Sequence, residues 1–172
     1  RQRPAPAVER GFGRLVAVSD AVFANFKPGT LASLGFPYER LHELNPGVVL
    51  AESSAFGDTG PWSTHMGYGP LVRATTGVTR LWTADAMATD SAASEPSRHA
   101  FYDATTIFPD HVVGRITAIG ALAALIRRER LGAGARIHVS QAEAVINQLD
   151  TLYVTQAAET AEVREDGAVH GV

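Results

Sequence analysis

The chain has 172 residues, of which 45% are hydrophobic and 19% charged, with a formal net charge of -3 and no cysteine. Such a chain can bury a core of its own, which excludes general disorder, a disulfide framework, a thiolate metal site and a cysteine nucleophile. The charge gives no support to a nucleic-acid partner, the longest apolar patch (Ala118 to Ile126) is broken by Gly120 and ends in Arg127-Arg128, and the start lacks a secretory pattern, so a cytoplasmic protein with no membrane partner is expected.

Residues 1–9 carry two prolines and little hydrophobic pattern, and read as a loose lead-in. Asp20 to Phe26 is a short apolar run closed by Lys27-Pro28-Gly29, which predicts a buried strand followed by a turn. Thr30 is placed to cap a short helical turn through Leu34, which Gly35 stops. Pro37 to Leu44 sets Leu41 and Leu44 on one side, the pattern of a second short helix. Val48 to Ser53 is a strand by β-branched content and length. The glycine-rich stretch Phe56 to Trp62 excludes regular structure, and Pro70 to Thr76 suits one or two helical turns. Trp82 to His99 has no period and reads as a surface loop.

His111 to Arg130 carries the strongest helical spacing. Ile116, Ile119, Ala123 and Ile126 form a stripe, with Leu122 and Leu125 beside it. Arg127, Arg128 and Arg130 fall in the last turn, where cations suit the helix dipole, and read as a solvated helix end. Gly132 is the stop. Arg136 to Val139 is a short strand. Ser140-Gln141-Ala142-Glu143 is a capping box that opens a helix to about Glu159, and a polar tail follows. Strands alternating with helices make the class α/β. The visible strands are too few for a complete doubly wound sheet, so the chain reads as part of a larger one.

The chain has no Gly-x-Gly-x-x-Gly, no phosphate-loop Gly-Lys-Ser/Thr and no Gly-x-Ser-x-Gly elbow, which counts against dehydrogenase, kinase-like and serine-hydrolase readings. Its histidines are never four apart on a helix, and no metal is expected. Several motifs do stand together in order. Asn25-Phe26-Lys27-Pro28-Gly29-Thr30 resembles the Glu-Asn-Phe-Arg-Pro-Gly stretch of the family III CoA-transferases, the group that includes formyl-CoA transferase and carnitine CoA-transferase. Leu34-Gly35 and Leu44-Asn45-Pro46 follow at the family's spacing. Ser54-Ala55-Phe56-Gly57-Asp58-Thr59-Gly60-Pro61 is similar to its Gly-Phe-Gly-x-x-Gly-Pro loop. Gly67-Tyr68-Gly69 with Ala74 and Gly77, then Asp110, Gly114 and Ile119 to Leu125, then Arg128 to Gly134 with Val139-Ser140, complete the likeness.

The resemblance implies part of a Rossmann-like large domain with an incomplete sheet. Residues 10–160 would be its central part, and residues 161–172 a tail or the start of a linker to a small domain. It implies a CoA-transferase that moves CoA between an acyl-CoA and a carboxylic acid, through an aspartyl-acyl anhydride and an aspartyl-CoA thioester. Coenzyme A is then substrate and carrier. The partners are an acyl-CoA and a small carboxylic acid. The assembly is a homodimer of interlocked rings, or this chain is one part of a longer polypeptide.

The site residues follow from the same motifs. Asp110 is the nucleophile by resemblance. By itself, an Asp after Pro and before an apolar helix is an N-cap worth about 1 kcal/mol, and both roles can hold. Asp103 is the local rival but has no glycine four residues on. Asn25, Phe26 and Lys27 would bind CoA, with Lys27 against a phosphate and Phe26 beside the pantetheine or adenine. By themselves they read as a strand end and turn, with Phe26 in the core. Gly57, Gly60 and Tyr68 would form a substrate loop whose glycines let the backbone approach closely, or simply an irregular connection. The sequence departs from the family at three places: Ser33 stands where an Arg for the CoA phosphates is frequent, Gly69 replaces an acidic residue, and Arg73 replaces Gln. Related acyl-CoA racemases carry a histidine base where this chain has Tyr68, which disfavours racemisation as the alternative activity. A non-catalytic half that scaffolds an active partner is the other alternative.

Overall fold

The computed structural model describes residues 6–82 and 107–165. Helix α1 (Pro6–Ala17) starts on a proline, which is tolerated there because its missing N–H would be unsatisfied in any case. Phe12 and Val16, one turn apart, anchor the helix on the core. Residues 6–9 of the expected lead-in are therefore helical.

Strand β1 (Ala21–Ala24) leads to two short helices, α2 (Thr30–Ser33) and α3 (Tyr38–Leu44). The residue before α2 is Gly29, at φ 77°, so glycine rather than Thr30 takes the capping position. Strand β2 (Val49–Ser54) precedes helix α4 (Gly69–Thr75) and a 3₁₀ turn at Val78–Leu81. Helix α5 (Phe108–Leu131) ends at Gly132, φ 72°, and feeds strand β3 (Ala135–Ser140). Ser140 caps α6 (Gln141–Ile146) by accepting a hydrogen bond from the Glu143 N–H, as the capping box predicts. The helix expected to run on to about Glu159 is interrupted by a 3₁₀ turn at Asn147–Leu149 and resumes as α7 (Asp150–Glu165). The expected tail thus begins inside a helix. The expected surface loop, apart from Trp82, and the rival Asp103 lie outside the described residues.

The three strands are parallel, in the order β1-β2-β3, with Val49 paired to both Ala21 and Ala135, and Ser54 to Ser140. β2 is central and covered on both faces, which explains its apolar first half. Leu50 faces a cluster with Val16, Leu31, Phe36, Leu41 and Val48. Val49 and Ala51 face Ala121 and Ala124 of α5. This is a partial Rossmann-like α/β unit. Leu41 is fully buried, so Leu41→Ala is expected to lower stability by about 2–5 kcal/mol, read as a lower urea midpoint at unchanged slope.

Helix α5 presents a different stripe to the sheet from the expected one. Val113, Thr117, Ala121 and Ala124 are buried, whereas Ile119, Leu122 and Ile126 are exposed. Small residues let the helix lie close: a Cβ on Gly120 would stand 3.4 Å from Ile137 Cγ2. By length and composition alone α5 is apolar enough to cross a membrane, contrary to the sequence expectation, but its packed face is that of a helix covering a sheet. Its C-terminal end is not simply solvated either. Arg128 donates to the Gly47 carbonyl at 3.1 Å and pairs with Asp20 at 2.7 Å, tying the helix to the entries of β1 and β2. Asn45, part of the sequence motif, bonds the Val16 and Ser19 carbonyls through its side-chain amide and so holds the end of α1.

Candidate active site

Parallel strands deliver their C-terminal ends to one side of a sheet, where ligands of α/β proteins collect. Here the chain leaves β1 toward Asn25, β2 at Ser54 and β3 at Ser140. A cavity of about 250 Å³ lies at these ends. Asn25 reaches it from β1, Ser53 and Ser54 from β2, and Gln141 from the start of α6. Gly67 and Tyr68 enter ahead of α4, and Asp110, Val113 and Gly114 from the first turns of α5. A larger, more open cavity of about 640 Å³ between α1 and α3 contains none of the candidate residues.

Asp110 is the third residue of α5, and the N-cap is Ile107. The capping role that the residue order suggests therefore falls elsewhere, because the helix starts two residues earlier, with Pro109 in its first turn. The Asp110 carboxylate lies against Gly69: a Cβ on Gly69 would fall on Asp110 Oδ2. The glycine that departs from the family pattern thus gives this carboxylate its room. Gly114 is one turn on from Asp110, on the same helix face. A Cβ there would meet nothing within 4 Å, so that side of the cavity is open space.

Three of the expected site residues, Asp110, Asn25 and Tyr68, share the cavity. Phe26, Lys27, Gly57 and Gly60 do not line it. Phe26 is 51% exposed, so it is not the core residue that its place in an apolar run suggests. Gly57 and Gly60 both adopt φ 80°, where a side chain is strained. A Cβ on Gly57 would stand 3.3 Å from Ser140 Cβ, so this glycine lets the loop after β2 close on the start of α6. Arg73 is buried, with its guanidinium 5.5 Å from the Trp82 ring centre.

The sequence reading missed a polar cluster behind the cavity. Ser54 Oγ is 2.8 Å from His138 Nε2. Arg136 binds Glu52 through Nε at 2.8 Å and Asp58 through a terminal nitrogen at 3.1 Å. Burial pulls the Arg136 pKa down, but hydrogen bonds and charge from Glu52 and Asp58 outweigh it, leaving a net rise. The available signal was alternation: Arg136 and His138 are two apart on one strand, so they share a face. Gln141, 5% exposed, carries no signal in the sequence beyond its place in the capping box.

The profile of CoA-transferase family III matches residues 5–171. The chain is 66% identical over 164 residues to a probable CoA-transferase of Mycobacterium tuberculosis, covering 94% of this chain and 20% of that protein. It is 32% identical over 152 residues to the succinyl-CoA–D-citramalate CoA-transferase of Chloroflexus aurantiacus, covering 88% of this chain and 35% of that enzyme. The crystal structure of a CAIB/BAIF family protein from Brucella suis superposes with a TM-score of 0.74 at 27% identity, over 90% of this chain and 38% of that one. The chain thus spans between a fifth and two fifths of the length of these relatives. With the family profile covering nearly its whole length, the chain belongs to CoA-transferase family III.

Proposed function

We propose that this chain is the catalytic centre of a longer CoA-transferase, in which Asp110 is the nucleophile that carries the acyl group and then CoA. The observation that carries the reading is the cavity at the strand ends, where Asp110 stands with Asn25 and Tyr68 and Gly69 clears the space beside its carboxylate. One carboxylate oxygen of Asp110 attacks the thioester carbonyl, the C–S bond breaks, and CoA leaves as thiolate, forming the acyl-aspartyl anhydride. The thiolate then attacks Asp110 Cγ, and the first acid leaves as carboxylate, giving the aspartyl-CoA thioester. The acceptor carboxylate attacks the same carbon, expels thiolate and forms a second anhydride. Thiolate attack on the acceptor's acyl carbon releases the new acyl-CoA and restores Asp110. Asn25 is placed to donate an amide N–H to an oxygen in the cavity, and the exposed Phe26 and Lys27 are left to contact CoA nearer solvent.

Hydroxylamine trapping tests this reading. Full-length protein incubated with acyl-CoA and hydroxylamine is expected to carry a hydroxamate on the peptide containing Asp110. Labelling confined to other carboxylates would overturn it.

A further inference from the structure

The polar cluster behind the cavity holds one buried atom without a partner. His138 Nδ1 makes no hydrogen bond and lies 3.6 Å from Asp58 Oδ2 and 4.0 Å from Glu52 Oε2. Its other nitrogen, Nε2, meets Ser54 Oγ, and Ser54 lines the cavity that contains Asp110. Arg136, beside His138 on β3, holds both carboxylates. On the α3 side, Tyr38 and Glu39 line a cavity of about 230 Å³ with Glu52 and Arg136. Burial raises the Tyr38 pKa, against the nearby charge of Arg127, so this phenol stays neutral. α5 covers the other face of the sheet through Ile137, and α6 contributes Glu143 as its titratable group.

A neutral imidazole has one donor and one acceptor nitrogen. Two carboxylates beside Nδ1 favour the tautomer with the proton there. Nε2 then accepts from the Ser54 O–H, and Ser54 turns only lone pairs to the cavity. When the imidazole gains a second proton, Nε2–H donates to Ser54 Oγ. The serine proton must then find an acceptor, and the cavity is where one can bind.

We infer that His138 is a positioning residue of this site: its protonation sets whether Ser54 offers a bound carboxylate a hydrogen-bond donor or only lone pairs. The inference rests on the CoA-transferase reading for the carboxylate ligand. The charged imidazole suits the acid, because Ser54 then donates to a carboxylate oxygen. The neutral imidazole repels it, because lone pairs face lone pairs.

The test uses full-length protein, with acetate as the carboxylate probe, titrated on either side of the pH at which nitrogen-15 shifts of the His138 ring record the loss of its second proton. Wild type is expected to bind acetate about tenfold more tightly at the lower pH, the worth of one charge-assisted hydrogen bond. Ser54→Ala and His138→Phe are expected to lose that preference. Should His138→Phe fail to fold, Ser54→Ala alone decides. The same pH preference in Ser54→Ala, or none in wild type, would overturn the inference. Nitrogen-15 spectra of the His138 ring give a readout that needs no activity: the neutral form is expected to carry its proton on Nδ1, and a proton on Nε2 sinks the proposal. Failure of the CoA-transferase reading would show separately, as absence of hydroxylamine labelling at Asp110.

Discussion

Asp110→Asn in the full-length protein is expected to abolish CoA exchange, lowering kcat by about 10³-fold or more, the scale seen when a covalent nucleophile is removed. Asparagine keeps the shape of the side chain but is a poor nucleophile and cannot form the anhydride. The fold is expected to survive. Asp110 is not the N-cap of α5, so the substitution removes no capping bond. It removes only a negative charge near the helix N-terminus, worth about 0.3–1 kcal/mol. Exchange of labelled CoA, with a urea midpoint measured beside it, separates the two effects. Turnover at the wild-type rate would rule out covalent aspartyl catalysis.

Gly69→Ala is expected to damage the reaction by a different route. Its Cβ would occupy the position of an Asp110 carboxylate oxygen. The carboxylate is the end of a short side chain, so it swings aside more readily than either helix moves. Gly69 is the first residue of α4 and is not among the glycines with positive φ, so alanine is tolerated by the backbone. Displacing a reacting group by about 1 Å costs on the order of 10²-fold in rate. The expected result is therefore a loss of kcat on that scale, with thermal stability close to wild type. A matched Gly11→Ala variant, where the added methyl meets nothing within 4 Å, serves as the control for glycine replacement itself. Equal activity in Gly69→Ala and Gly11→Ala would mean that the position of the Asp110 carboxylate does not limit turnover.

Much of the architecture was legible along the chain. Val48 to Ser53 announced a strand because its first four residues are apolar and the run is short, and β2 lies one residue along from it. Gly35 and Gly132 stand where helix stops are expected, and both adopt positive φ. Ser140 and Glu143 announced a cap that forms through local contacts alone. Asp110 is a candidate through its place in a linear pattern. Local rules worked wherever the interactions that decide the outcome lie within a few residues.

Tertiary structure decided the rest. In α5 the helical period marks the bulky stripe of Ile116, Ile119, Ala123 and Ile126 for the core. The small-residue stripe packs instead, because a helix lying close to a sheet needs alanine and glycine at the contact. Phe26 sits in an apolar run yet is exposed, because β1 ends at Ala24 and the chain beyond it leaves the sheet. Ser54 and His138 are 84 residues apart and meet at 2.8 Å. Only the parallel register of β2 and β3 brings them together, along with Glu52 and Arg136. The sequence by itself determined most of the elements and their turns, which are local in cause, and singled out Asp110 as a candidate carboxylate by resemblance. Which helix face is buried, and which polar groups stand behind that carboxylate, depend on strand pairing and close packing between distant segments.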